Sequence, residues 1–191
     1  MLENLKKYDV VLASNSPRRR ELLAGLGIDF RVEVLGDVDE SYPASMPAHE
    51  VAPHIARVKA DAYDVPAGEL LITADTVVIV DHDILGKPVD NDQARAMLQR
   101  LSGRTHDVVT GVCVKTRRRT EVFACTSVVE FDSLSPEEID HYVACYRPMD
   151  KAGAYGIQEW IGYVGVKGIK GSYFNVMGLP IQRLYTLLKT F

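Results

Sequence analysis

The eleven residues from Leu70 to Val80 limit the fold of this chain more than any other stretch. They read Leu-Leu-Ile-Thr-Ala-Asp-Thr-Val-Val-Ile-Val, with apolar and β-branched side chains at both odd and even positions. A strand with two apolar faces has to be covered on both sides, which is typical of the centre of a sheet that lies between helices. The stretch therefore predicts a central strand in an α/β fold.

Asp75 places a carboxylate within this apolar stretch. Burying a carboxylate is costly unless it is paired with a cation or binds a metal ion. We therefore favour a functional role over a structural one for Asp75, because perturbed charges cluster at functional sites.

A cationic turn lies near the start of the chain, from Leu12 to Leu23. Ser16 and Pro17 suit the N-cap and the first position of a helix that Gly27 can end. Three arginines follow at once, namely Arg18, Arg19 and Arg20. A helix start favours anions and disfavours cations, so a bound polyanion would offset the cost of these arginines. A phosphate site and a solvated basic turn both remain open.

Length and charge limit the class of protein. The chain has 191 residues, a formal net charge of −4 and 47% hydrophobic residues, which suits one domain over residues 1–191. The negative charge argues against a general nucleic-acid or membrane-surface binder, so the partner should be a small molecule. No apolar run approaches a membrane span and the N-terminus lacks a signal core, which predicts a cytoplasmic protein. We expect Cys113, Cys125 and Cys145 to be buried and reduced.

Helical and strand periodicities alternate along the rest of the chain. Further helices are predicted at about 49–63, 90–101, 135–146 and 181–188. Further strands are predicted at 30–34, half-buried, and at about 107–115 and 121–131. The basic residues between the last two strands, at 116–120, are expected to be a solvated hairpin tip rather than a nucleic-acid contact.

Several other residues are candidates for chemistry. The acidic loop with Asp37, Asp39 and Glu40 offers oxygen ligands for a hard divalent cation, although such loops are often only solvated. Lys59 follows the pattern of an ordinary surface lysine, and Lys87 lies just past a hairpin. The spacings typical of a zinc hydrolase, a Gly-x-Ser-x-Gly nucleophile and a Walker A loop are missing from the sequence.

Several motifs occur in a fixed order. They are Ser14-x-Ser-Pro-Arg-Arg-x-Glu-Leu-Leu23, Ala74-Asp-Thr76, Leu85-Gly-Lys-Pro88, Leu101-Ser-Gly-Arg-Thr-His106, Asp150-Lys-Ala-Gly-Ala-Tyr-Gly-Ile-Gln158, Gly171-Ser-Tyr173 and Met177-Gly-Leu-Pro180. From about residue 9 to the end, the chain resembles the Maf family of nucleoside triphosphate pyrophosphatases. The resemblance implies a long twisted mixed β-sheet flanked by helices, similar to that of inosine triphosphate pyrophosphatases. It also implies a cytoplasmic and often dimeric enzyme that depends on a divalent cation, Mg²⁺ or Mn²⁺.

The resemblance also implies roles for individual residues. The Tyr155-Gly-Ile-Gln158 ending is similar to the subgroup that hydrolyses dTTP and UTP to the monophosphate and diphosphate, removing non-canonical or excess pyrimidine nucleotides. Asp75 resembles the proton acceptor, and Glu40 with Asp75 would face the metal. Arg18, Thr76 and Gln158 align with specificity positions, whereas Ser14, Arg19, Lys59 and Lys87 align with phosphate-side positions.

The chain departs from the family pattern at two places. Thr73 and the pair Glu159-Trp160 stand where glycine is common, and the second departure affects the loop on the base side. Two other functions stay open, namely a 7-methyl-GTP pyrophosphatase and a nucleotide-binding regulator of septum formation in cell division.

Overall fold

The computed structural model describes residues 2–36 and 38–191, so Asp37 of the acidic loop lies outside the described residues. The strands are β1 (Asp9–Leu12), β2 (Arg31–Val32), β3 (Glu69–Val80), β4 (Asp83–Leu85), β5 (Thr105–Lys115), β6 (Thr120–Phe131) and β7 (Val166–Lys170). The α-helices are α1 (Pro17–Ala24), α2 (Ala48–Asp61), α3 (Asn91–Leu101), α4 (Pro136–Tyr146), α5 (Trp160–Gly165), α6 (Tyr173–Met177) and α7 (Ile181–Leu188). In this described part, no helix is long and apolar enough to cross a membrane.

The strands form one seven-stranded mixed sheet among the described residues. Their order is β2-β1-β3-β5-β6-β7, and β4 pairs with β3 outside this path. Strand β1 runs parallel to both β2 and β3. Strand β4 runs antiparallel to β3, and β7 runs antiparallel to β6. The predicted α/β class, with a mixed sheet flanked by helices and β3 in its interior, is confirmed.

Internal contacts divide the chain into two compact units. Unit 1 comprises Met1–Asp75, Thr110–Cys125 and Gly178–Phe191, and unit 2 comprises Thr76–Val109 and Thr126–Met177. The single domain over residues 1–191 stays a prediction.

In unit 1, successive residues of β1 and β3 belong to two different apolar clusters, one on each face of the sheet. Leu12 and Ile72 belong to one apolar cluster, which residues of α1 and α7 complete. Val11 and Leu71 belong to a second cluster together with Ala56 of α2. Successive side chains of a strand point to opposite faces, so a strand with apolar residues at every position can be buried on both sides.

Helix α2 approaches β5 so closely that glycine is required at position 111. A β-carbon on Gly111 would lie 2.2 Å from the backbone nitrogen of Pro53 and 2.4 Å from the carbonyl carbon of Ala52. Because these neighbours are backbone atoms, they cannot move aside as a flexible side chain would. The contact fixes the helix that carries Lys59.

A strand lies within the predicted range 30–34, but the predicted length and half-burial of that strand are wrong. Only Arg31 and Val32 form β2, and both are exposed. Because β2 lies at one end of the strand order, Arg31 remains at the surface and pairs there with Asp9 at 2.9 Å and Glu69 at 2.5 Å.

Two further predictions need correction. The cysteines are free, but only Cys113 is buried, whereas Cys125 is half-buried and Cys145 is exposed. Helix α1 ends at Ala24, and Gly27 adopts a φ of 66° in the turn that follows.

The hairpin tip at 116–120 is confirmed, because the Thr116 N–H donates to the Arg119 carbonyl at 2.7 Å.

A buried aromatic cluster in unit 2 contains a histidine. His106 is 3% exposed and packs edge-on against Phe131 and Tyr155, with ring centroids 5.1 and 5.4 Å away. Its Nε2 lies 2.7 Å from the Tyr155 hydroxyl. Burial lowers the pKa of His106 to about 4, and Asp107 opposes this shift. The folded protein therefore holds His106 neutral at pH values where a free histidine takes up a proton.

We expect acid to destabilise the protein through this histidine. The unfolded chain binds the proton near pH 6.5 and the folded chain near pH 4, so the contribution is complete above pH 6.5 and is lost as pH falls towards 4. At roughly 1.4 kcal/mol per pH unit, the loss amounts to about 3 kcal/mol. Urea unfolding between pH 7 and 4.5 should show a shallower pH dependence for His106→Gln than for the wild type. The exposed-histidine variant His82→Asn is the control, and equal slopes for His106→Gln and wild type would contradict the expectation.

Candidate functional site

The turn before α1 is built as the sequence predicted. Ser16 is the N-cap, and its Oγ accepts a hydrogen bond from the Arg19 N–H at 3.4 Å. The Ser16 N–H in turn donates to Ser14 Oγ at 3.2 Å, and Pro17 occupies the first helical position. The strand end, the turn and the helix start are thereby fixed by local hydrogen bonds.

Arg19 is a fixed cation in unit 1. Its guanidinium donates to the carbonyl oxygens of Gly178 and Ala74, each at 2.8 Å, and to Ser14 Oγ at 3.4 Å. Burial lowers the pKa of Arg19, and the Asp75 carboxylate is the strongest opposing influence. Arginine stays protonated under such conditions, so the site keeps a positive charge beside Asp75.

The other two arginines of this turn differ from Arg19. Arg20 is exposed and donates to the Asn15 carbonyl at 3.0 Å, which fits a solvated basic turn. Arg18 is half-buried, and its charge also lowers the pKa of Arg19. The interpretation as a solvated basic turn therefore applies to Arg20, whereas the interpretation as a phosphate site stays open for Arg18 and Arg19.

Lys59 of α2 joins two carboxylates. Its Nζ lies 2.8 Å from Asp75 Oδ1 and 3.2 Å from Glu40 Oε1. The Lys59 and Asp75 side chains are 19% and 17% exposed, whereas that of Glu40 is 49% exposed. The interpretation of Lys59 as an ordinary surface residue is wrong, because its ammonium is the ionic partner that makes a carboxylate within β3 tolerable.

Thr73 ties together the two elements that carry this ion pair. It is fully buried, and its Oγ1 donates to the Ala56 carbonyl at 2.5 Å. Ala56 lies nearly one helical turn before Lys59, and Thr73 lies two residues before Asp75. Thr73, which stands where glycine is common in the family, therefore supplies a hydrogen bond between β3 and α2 close to the site.

Glu40 and Asp75 suit a hard divalent cation. Their oxygens converge on one point, because both lie within about 3 Å of the same Lys59 ammonium group. In nucleotide enzymes Mg²⁺ is usually held by one or two carboxylates together with substrate phosphates. Across residues 2–36 and 38–191, no group of three or more His, Cys, Asp or Glu residues could hold a metal ion. Asp39 instead accepts a hydrogen bond from the Ser41 N–H at 3.0 Å, which lowers its pKa.

Gln158 lies in unit 2, in the turn that leads into α5. The turn is closed by a 2.9 Å hydrogen bond from the Glu159 N–H to the Gly156 carbonyl. Within the described residues, Gln158 Oε1 is buried and has no hydrogen-bond partner. Such an acceptor costs about 1–3 kcal/mol when it stays unpaired, and it marks a place where a ligand N–H would be favourable.

Sequence reasoning missed the side chains that hold this turn. Tyr142 of α4 donates its hydroxyl hydrogen to the Glu159 carboxylate and accepts the Gly156 N–H at 2.9 Å. Lys151 is 7% exposed, and its Nζ lies 3.2 Å from Glu159 Oε1. Burial, followed by the hydrogen bond to Glu159, raises the pKa of Tyr142. The presence of Glu159 where glycine is usual was the only sequence signal for this network.

Lys87 is placed by a backbone contact of its loop. Gly86 accepts a 3.1 Å hydrogen bond from the Gly153 N–H, so the loop lies against the glycine-rich segment of unit 2. Gly153 has a φ of 68°, and the Val78 side chain lies 2.9 Å from where a β-carbon would be. Lys87 itself is exposed.

Comparison with known proteins settles the family. The model of the Maf-like protein family matches residues 9–191. This chain belongs to the Maf family. A dTTP/UTP pyrophosphatase of Bacteroides thetaiotaomicron is 59% identical over 191 residues, with 99% of each chain covered. One of Phocaeicola vulgatus, also named dTTP/UTP pyrophosphatase, is 57% identical with the same coverage. A solved HAM1 protein from Coxiella burnetii matches with a TM-score of 0.43 and 16% identity, over 96% of this chain and 100% of that one.

The candidate residues of this Maf protein fall into two groups. In unit 1, hydrogen bonds, ion pairs or charge interactions connect five of them: Arg18, Arg19, Glu40, Lys59 and Asp75. Ser14 joins this group through its hydrogen bond with Arg19. Thr76, Lys87 and Gln158 belong to unit 2. Their assigned roles remain proposals.

Proposed function

We propose that this Maf protein is a nucleoside triphosphate pyrophosphatase that hydrolyses dTTP and UTP to the monophosphate and diphosphate. The names of its relatives support this substrate pair. The observation that carries the proposal is Lys59, which bridges Asp75 and Glu40 beside the fixed guanidinium of Arg19. A proton acceptor and phosphate-binding cations are the groups that this reaction requires.

The cationic groups are proposed to bind the triphosphate. Arg19, Lys59 and Lys87, with Ser14 and the start of α1, offer positive charge and N–H or O–H donors to phosphate oxygens. Negative charge grows on those oxygens as the bond between the α and β phosphates breaks. Cations that are already fixed stabilise this charge without rearranging, which explains why Arg19 is held by two backbone carbonyls.

Asp75 is proposed as the proton acceptor. A water oxygen attacks the α phosphorus, its proton passes to the Asp75 carboxylate, and the bond to the β-phosphate oxygen breaks to release diphosphate. The ammonium of Lys59 orients Asp75 for this transfer. A divalent cation, Mg²⁺ or Mn²⁺, would be held by Glu40 and Asp75 and would neutralise charge on the phosphate oxygens.

Gln158 is proposed to recognise the pyrimidine base, with Arg18 and Thr76 as further specificity positions. Its unpaired Oε1 suits the N3–H of uracil or thymine, whereas cytosine carries no hydrogen at that nitrogen. The 2′-hydroxyl has no part in this recognition, so dTTP and UTP are both accepted.

The remaining family expectations are also part of the proposal. We propose a cytoplasmic homodimer that removes non-canonical or excess pyrimidine nucleotides and binds neither nucleic acid nor membrane. The net charge of −4 supports the absence of nucleic-acid binding. Exposed apolar side chains on α5 and α6, including Tyr163 and Phe174, support burial against a second copy.

A panel of nucleoside triphosphates tests the reaction and the substrate together. With Mg²⁺ present, dTTP and UTP should be hydrolysed faster than dCTP, CTP and 7-methyl-GTP, and diphosphate rather than orthophosphate should be released. Faster hydrolysis of 7-methyl-GTP would favour the purine alternative. Tight nucleotide binding without turnover would favour the cell-division regulator, and orthophosphate release would contradict the proposed bond cleavage.

A further inference from the structure

A glutamine side chain does not by itself distinguish uracil from cytosine. Its amide carries an acceptor oxygen and a donor nitrogen, and a half-turn about the last side-chain bond exchanges them. One orientation matches the N–H and carbonyl of uracil or thymine. The other matches the bare ring nitrogen and the amino group of cytosine. Gln158 can therefore select one base only if something fixes the orientation of its amide.

The structure contains a charged group in the right place for this task. A β-carbon on Gly156 would lie 3.0 Å from Gln158 Nε2 and 3.0 Å from Glu159 Oε2. The amino end of the amide and the carboxylate thus both border the space that a side chain at position 156 would fill. A carboxylate accepts hydrogen bonds and repels an amide oxygen, so it favours the nitrogen end of the amide on its side.

The carboxylate of Glu159 is itself held in position. Tyr142, which is fully buried, donates to Glu159 Oε2, and Lys151 lies 3.2 Å from Oε1. The Tyr142 hydroxyl also accepts the Gly156 N–H, so one phenol fixes both the carboxylate and the backbone of the turn. Glycine at 156 leaves the space that the two side chains occupy.

We propose that Glu159 is a positioning residue that sets base selectivity. Its carboxylate, anchored by Tyr142 and Lys151, attracts the amino end of the Gln158 amide through its charge and so leaves Oε1 to accept the N3–H of uracil or thymine. This inference rests on the proposed function, because it assigns an orientation to the proposed base-recognition residue. The carboxylate of Glu159 then decides which pyrimidine the neutral amide of Gln158 matches.

The test compares selectivity in single and double variants. Glu159→Gln keeps the size of the side chain but loses its charge, so the ratio of kcat/KM for UTP over CTP should fall about 10-fold, within the range for a hydrogen-bond mismatch. Tyr142→Phe should lower the ratio in the same direction. In a Gln158→Ala background, Glu159→Gln should change the ratio no further, because the group it orients is gone. Tyr146→Phe, a neighbouring tyrosine stacked on Tyr142, is the matched control.

The outcomes separate this inference from the function on which it rests. A wild type that does not prefer UTP to CTP contradicts the proposed function and this inference with it. A selective wild type whose ratio survives both Glu159→Gln and Tyr142→Phe overturns the inference alone. A lower melting temperature with an unchanged ratio would show that Glu159 has only a structural role.

Hydrogen exchange tests the anchoring without substrate. The Gly156 amide donates to the Tyr142 hydroxyl, so its exchange should accelerate about 10-fold in Tyr142→Phe but not in Tyr146→Phe. Unchanged exchange at Gly156 would overturn the role of Tyr142, whatever the nucleotide rates.

Discussion

Asp75→Asn is expected to lower kcat by about 10²–10⁴-fold, because asparagine cannot accept the proton of the attacking water. The amide preserves the size of the side chain and leaves an oxygen for the Lys59 ammonium, which lies 2.8 Å from Asp75 Oδ1. The fold should therefore survive. Diphosphate release from dTTP at saturating Mg²⁺ measures the effect, and a melting curve measures the fold.

Asp61→Asn is the matched control for this prediction. Asp61 ends α2 and pairs with Arg57 at 2.7 Å and with Lys115 at 3.5 Å, so it is also a carboxylate in an ion pair of unit 1, but it lies nearer the surface, at 48% exposure, than Asp75 at 17%. Such surface pairs contribute at most about 1 kcal/mol, and the control should keep its turnover. Near-normal kcat in a folded Asp75→Asn protein would remove Asp75 from the role of proton acceptor.

Gln158→Glu is expected to erase most of the preference for dTTP and UTP over dCTP and CTP. The change replaces the amide donor by a second negative charge next to Glu159 and leaves no N–H for a base carbonyl. A buried hydrogen-bond mismatch costs about 1–3 kcal/mol, so the lost discrimination should be roughly 10- to 100-fold. Values of kcat/KM for dTTP, UTP, dCTP and CTP measure it.

An exposed glutamine supplies the comparison. Gln182 of α7 is exposed, so Gln182→Glu adds the same charge outside the proposed site and should leave selectivity intact. If Gln158 only supports the turn, Gln158→Glu will lower the melting temperature and keep the preference for dTTP and UTP. That result would remove Gln158 from base recognition.

Local pattern determined much of the fold. The apolar run at 70–80 predicted an internal strand because burial on both faces requires apolar side chains at every position, and β3 has this environment. Ser16 and Pro17 predicted the start of α1 because capping satisfies backbone groups within three residues. The motif order also identified the family. The length and burial of the edge strand β2 were mispredicted because alternation alone does not reveal which elements cover a strand.

Only the tertiary structure decided which charges are paired. Lys59 has the pattern of a surface lysine, yet it contacts Asp75, 16 residues away, because the Thr73–Ala56 hydrogen bond and the close approach at Gly111 hold α2 in place. Arg19 is fixed by carbonyls 55 and 159 residues away.

The partners of Glu159 were likewise decided only by the tertiary structure. Its partner Tyr142 lies 17 residues earlier on a separate helix, and the sequence marked only an unusual residue at position 159. Periodicity and capping report burial and local hydrogen bonds. The partners of a buried charge depend on how elements pack after the chain has folded, because a buried charge is tolerated only where packing supplies an opposite charge or a donor.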